Sequence, residues 1–186
     1  MSQRTPWLKT NLRPLSMSMV FPCTLMVVGG LVVLFAPASG WWNLLRYLSL
    51  AALTFAVVAI GSLTYLMRVP RLAYEQGYLL VYGDYLIPHR VPIDVVEFFF
   101  MGQGPSKMPW TDDDDGPETS NLVVRLAEAE KDWHQKSCRP QIGHWCDGYI
   151  TLRGTWCEPL HRELIGNLNR LLVAAHREVR EETAEQ

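Results

Sequence analysis

Apolar positions run unbroken along two stretches near the start of the chain and become short and alternating afterwards. Met17–Ala36 ("MSMVFPCTLMVVGGLVVLFA") carries no charged side chain over 20 residues, and Tyr47–Met67 ("YLSLAALTFAVVAIGSLTYLM") carries none over 21. As helices rising ~1.5 Å per residue, each reaches across the ~30 Å of bilayer hydrocarbon. No charge stands at mid-span, where lipid would make it costly. Pro22 is expected in the opening turns of the first helix, where a missing N–H costs least. Pro37 and Gly40 mark a turn between the two helices. Trp41, Trp42 and Tyr47 cluster at one end and Tyr65 near the other, as interfacial aromatics do. A cleaved signal peptide competes for the first run, since "FAPASGWW" offers small residues, but the apolar region is longer than such a segment requires. A retained helical hairpin is the expectation, with Ala52, Ala56, Gly29 and Gly30 available for close helix packing.

From Arg71 onward the period changes to two. "LAYEQ" stops at Gly77, "YLLVY" at Gly83-Asp84, "YLIPHRVP" follows, and "VVEFFFM" stops at Gly102. Leu122, Val124 and Leu126 share one face of "LVVRLA", while "QIGHWC" and "YITLRG" flank Asp147-Gly148, a dipeptide suited to a tight hairpin turn. Six or seven strands result from this pattern. The last element has helical spacing instead. After Pro159, Leu160, Leu164, Leu168, Leu171, Leu172 and Val179 fall on one stripe, with Glu163, Asn167, Arg170, Arg177 and Arg180 on the other sides. The organisation expected is an N-terminal segment 1–16, a transmembrane hairpin 17–67 (helices 17–36 and 47–67), a folded unit 70–181 and a polar tail 182–186. Fold class is membrane-anchored α+β, a small twisted β-barrel or sandwich closed by a C-terminal amphipathic helix.

Charge sharpens the division. The first 67 residues contain Arg4, Lys9, Arg13 and Arg46 and no acidic residue, whereas residues 68–186 hold 19 acidic against 13 basic side chains, a formal balance of −6. Arg4, Lys9 and Arg13 precede the first helix, Arg68 and Arg71 follow the second, and only Arg46 lies near the turn. The positive-inside tendency then places both termini in the cytoplasm. The acidic balance of the second part offers no basic face to a nucleic acid, and none is expected as a partner.

The hairpin, the opening strands "RLAYEQGYLLVYGDYLIP", the segment "VPIDVVEFFF" and the closing helix "EPLHRELIGNLNRLL" together resemble the bacterial PH-like domains of small membrane proteins. The resemblance covers about residues 70–180 and is one of pattern. It implies a PH-like barrel and a membrane-associated role, and it carries over no catalytic residue. The phosphate recognition often attached to such barrels requires clustered Lys and Arg in the early loops. Here the first such turn is "YGDY", and "GQGPSKMPWTDDDDGPETS" holds five acidic residues against one lysine. Phosphoinositide binding is therefore not expected. Four consecutive aspartates also favour a solvated loop over a calcium loop with ligands at alternate positions.

Candidate chemistry gathers in "HQKSCRPQIGHWCDGYITLRGTWCEPLH", which spans His134 to His161 and holds three of the four cysteines and three of the five histidines. His144 and Cys146, two apart on a strand, and Cys157 and His161, four apart at a helix start, form a conceivable zinc tetrad. Against it stand the absence of a Cys-x-x-Cys knuckle and the position of Cys157 beside the leucine stripe, where a thiol fills core space. A disulfide conflicts with a cytoplasmic location, and Cys146–Cys157 would be the bridge only if the topology were inverted. Thiol–base pairs, Cys138 with His134 or Cys146 with His144, lack any surrounding nucleophile motif. Trp110 and Trp133, near loops, are either partner anchors or plugs of the barrel. The sequence thus points to a membrane-anchored, non-catalytic binding or scaffolding domain with a protein partner. A zinc sensor or enzyme using residues 134–161 and an accessory subunit of a larger membrane complex are the alternatives.

Overall fold

The computed structural model describes residues 4–37, 40–84, 87–105, 118–134 and 136–184. It divides into two compact units: Leu12–Arg68, and the chain on either side of it, up to Asn11 and from Val69 onward. Trp110 and the four aspartates 112–115 lie outside the described residues.

The first unit is a pair of helices, α1 (Leu12–Phe35) and α2 (Trp42–Arg68), both long and apolar enough to cross a membrane. Each extends beyond its uncharged run, and Pro14 falls in the first turn of α1, where the missing N–H costs no helical hydrogen bond. Pro22 consequently sits inside α1 and not in its opening turns. Where the helices pack, Gly29 is buried, and a Cβ there would lie 3.3 Å from Leu53 Cγ and 3.4 Å from the Ser49 carbonyl oxygen. Ala56 is buried too, but Gly30 faces open space, so the small residues split between contact and exposure.

The second unit consists of two antiparallel sheets and a helix. Strands β1 (Thr5–Leu8), β2 (Leu72–Glu75), β3 (Tyr78–Val81) and β4 (His89–Pro92) form one sheet in chain order. Strands β5 (Val96–Pro105), β6 (Glu118–Leu126), β7 (Gly143–Cys146) and β8 (Tyr149–Leu152) form the other, ordered β5-β6-β8-β7. Helix α3 (Arg162–Ala184) follows. The turns behave as their residues dictate. Gln76-Gly77 (φ 47° and 76°) closes β2–β3, and Asp147-Gly148 (φ 51° and 77°) closes β7–β8, both pairs in the left-handed region that suits a two-residue hairpin. Within β5, Gly102 and Gly104 let β6 approach, because added Cβ atoms would meet Val123 at 2.9 Å and Asn121 at 2.7 Å.

The segment before α1 contains the first strand of the sheet, with Thr5 opposite Tyr74, Pro6 opposite Ala73 and Leu8 opposite Leu72. The helical pair is therefore inserted between two neighbouring strands. The point of insertion is tied: Thr10 Oγ1 donates to the Val69 carbonyl (2.6 Å), Asn11 N to the Trp156 carbonyl (3.1 Å) and Glu158 N to the Lys9 carbonyl (3.0 Å). Arg71, only 4% exposed, donates through its backbone N to the Leu8 carbonyl at 2.8 Å and through Nε to that of Trp156 at 3.2 Å.

One core joins the two sheets and α3, with Trp7, Leu8, Leu72, Leu79, Val91, Phe99, Leu122, Val124, Ile150 and Leu152 meeting Leu168, Leu172 and Ala175. The leucine stripe read from the sequence is the buried face of α3, flanked by half-buried Leu160, Leu164, Leu171 and Val179. The helix begins at Arg162 and runs through the expected polar tail to Ala184. Asn169 fixes it to the sheet like a third strand partner: Oδ1 accepts from Phe99 N (2.9 Å) while Nδ2 donates to the Phe99 carbonyl (2.9 Å).

Candidate functional site

The residues singled out in the sequence are not brought to one point. Strand β7 alternates, so Trp145 enters the core while His144 and Cys146 face the other side of the sheet. Cys157 lies in the core, bridged to Thr10, and His161 is exposed with Nδ1 2.9 Å from the Pro159 carbonyl oxygen. The His144–Cys146–Cys157–His161 tetrad is thus split across a sheet, and among the described residues no group of three or more His, Cys, Asp or Glu is placed to hold a metal ion. The same separation keeps Cys146 and Cys157 as free thiols.

The thiols are also poorly disposed as nucleophiles. Burial pushes Cys157 up to about 12 and Cys138 up to about 11, with Asp84 adding to the latter. Cys146 is raised by its hydrogen bond with the neighbouring Asp147. A reactive thiol needs a shift in the opposite direction. Trp133 is half-buried at the core margin, stacked on Trp145 at 6.4 Å, with its carbonyl accepting from Trp145 Nε1 at 2.7 Å.

What the sheet does assemble is a continuous outer face. The register sets two rows across all four strands of the second sheet. One runs Phe98, Arg125, Tyr149, Cys146, and the other Phe100, Val123, Thr151, His144. Their neighbours Phe99, Val124 and Ile150 supply the core, so alternation forces these rows outward. Phe98 and Tyr149 keep 39% and 38% of their surface exposed. Phe98 and Phe100 lie 5.4 Å apart, and Phe100 meets Tyr149 edge-on at 6.4 Å. Beneath them Val123 is only 8% exposed.

The face has a charged margin. Arg125 Cζ stands 5.7 Å from the Phe98 ring centroid, its Nε 2.8 Å from Glu97 Oε2 and its NH2 group 3.1 Å from Glu128 Oε1. These pairs are largely solvent-exposed and worth little as stabilisation, but they keep the guanidinium beside an aromatic ring. Aromatics beside a positioned arginine are the groups that carry most energy at protein interfaces. "FFF" in the sequence announced a strand. That its first and third members face outward follows from the bulge between Val96 and Phe98, which shifts the register.

Comparison with known protein families, curated proteins and solved structures finds no match to this chain.

Proposed function

We propose that the chain is a membrane-anchored binding or scaffolding protein, in which a PH-like domain held by a transmembrane hairpin presents the Phe98–Phe100–Tyr149 face to a protein partner. The PH-like reading is supported by the order of elements: four antiparallel strands, four more, then a helix packed on the core. The position of β8 between β6 and β7 departs from a simple meander. Anchoring is supported by the two apolar helices, and a single compartment for both flanks by the pairing of β1 with β2 on either side of them. Arg4, Lys9, Arg13, Arg68 and Arg71 on those flanks favour the cytoplasmic side.

The observation that carries the binding role is the contiguous aromatic face, since a soluble surface seldom leaves such a cluster uncovered without use. A photo-crosslinking amino acid at position 100 or 149, in the native membrane, tests it. A discrete protein adduct is expected from both positions and not from Glu163, exposed on α3. Equal adducts from all three, no adduct, or lipid adducts alone would overturn the reading. A stoichiometric integral-membrane adduct would identify the partner as the rest of a larger complex, within the same reading.

A further inference from the structure

A second surface lies away from the aromatic face. Between β1 and the far half of α3 runs an open groove of about 440 Å³, lined by Thr5, Trp7, Tyr74, Leu171, Glu178 and Glu182 among others. Its apolar part is built from the stacked rings of Trp7 and Tyr74 (5.4 Å, 17° between planes) together with Leu171, Ala174 and Ala175. Its rim is acidic. Glu178 and Glu182 are one helical turn apart and both line the opening, while Glu178 Oε2 accepts from the Tyr74 hydroxyl at 3.1 Å. Among the described residues no Lys, Arg or His forms an ion pair with either carboxylate. β1 is also the last strand of its sheet, so one side of its backbone has no strand partner among the described residues.

We infer that this groove binds an arginine-bearing segment of a partner protein. The inference rests on the reading of this unit as a binding domain but on a separate surface. An arginine side chain is amphipathic: its methylene stem lies on apolar walls while its head stays at a charged rim. The planar guanidinium presents five donors in a rigid fork and can take two carboxylates along separate edges, whereas an ammonium offers three donors from a single point. A groove lined by residues of an edge strand suits an extended segment, with the arginine as anchor and the flanking backbone beside β1.

The test uses the full chain in neutral phosphatidylcholine nanodiscs and the blocked peptide acetyl-Thr-Val-Arg-Val-Thr-amide. Binding is followed by the indole NMR signal of Trp7, identified with Trp7→Phe. A saturable shift is expected. Replacing the arginine by citrulline, which keeps shape and loses charge, weakens binding about tenfold or more, and Glu178→Gln, which retains an acceptor for Tyr74, does the same. Phe100→Ala leaves the titration unchanged, which separates this groove from the aromatic face. No saturable shift, equal binding of the citrulline peptide, or indifference to Glu178→Gln overturns the inference. Equal affinity for acetyl-arginine-amide alone also overturns it, since the groove would then take a small cation and not a protein segment.

Discussion

Deleting the indole of Trp7 isolates the contribution of the strand that precedes the membrane hairpin. Trp7 is 7% exposed, stacks on Tyr74 at 5.4 Å and meets Phe99 edge-on at 6.2 Å, and so joins β1 to both β2 and β5. Truncating a buried tryptophan to alanine costs about 3–5 kcal/mol, a large share of the ~5–15 kcal/mol that holds a domain folded. The measurement is made on a soluble version in which a short Gly-Ser linker replaces residues 12–68. Such a linker has little to span, because Thr10 and Val69 are hydrogen-bonded at 2.6 Å. With a urea dependence of ~2 kcal/mol per molar, Trp7→Ala should lower the unfolding midpoint by about 2 M, and removal of residues 1–11 should abolish cooperative unfolding. A midpoint within about 0.3 M of the parent for either change, smaller than any core truncation should give, would show that β1 is not part of the folded unit.

Four further outcomes follow from the same geometry. Asn169→Ala strips Phe99 of both backbone partners on α3 and should cost about 1–3 kcal/mol, read as a lower thermal midpoint, whereas Asn167→Ala on the exposed side should change it little. Leu168→Asp places a charge in the core and should abolish cooperative unfolding; a native-like transition would refute the assignment of the buried face of α3. Cys157 and Cys138 are raised in the folded state, so the unfolded chain loses their protons first. Their contribution is present below the ordinary thiol value near 9 and is lost as pH rises through about 11 and 12. The alkaline fall in stability should therefore shrink in the Cys138→Ala, Cys157→Ala pair relative to its own value at pH 7. Finally, the separation of His144 and Cys146 from Cys157 predicts that protein purified without chelator carries well under one zinc per chain; one equivalent, lost in Cys146→Ser, would contradict it.

Elements set by local spacing were legible in the sequence. The Asp147-Gly148 turn, the leucine stripe of α3 and the two uncharged helices each depend on neighbours within a few residues. What escaped depends on distant partners. "TPWL" is four residues without alternation, and its role as β1 exists only through Tyr74, Ala73 and Leu72, beyond the whole hairpin. The Cys/His window turns on a distant partner as well. Two-residue spacing put His144 and Cys146 on one face, but which face was decided by Trp145, whose ring fills the core. The aromatic face was hidden in "EFFFM", because a bulge sets the register there and alternation alone leaves open which phenylalanines turn inward.

If the two apolar helices cross a membrane, their place between the paired strands β1 and β2 requires both flanks to lie on one side of it. Single cysteines at Lys9, Glu128 and Trp41, in a chain whose four native cysteines are replaced, can be labelled with a membrane-impermeant maleimide in sealed vesicles of known orientation. All three positions are exposed. Lys9→Cys and Glu128→Cys should be labelled from the same, cytoplasmic, side and Trp41→Cys from the opposite side. Labelling of all three from one side, or of Lys9→Cys and Glu128→Cys from opposite sides, would contradict it.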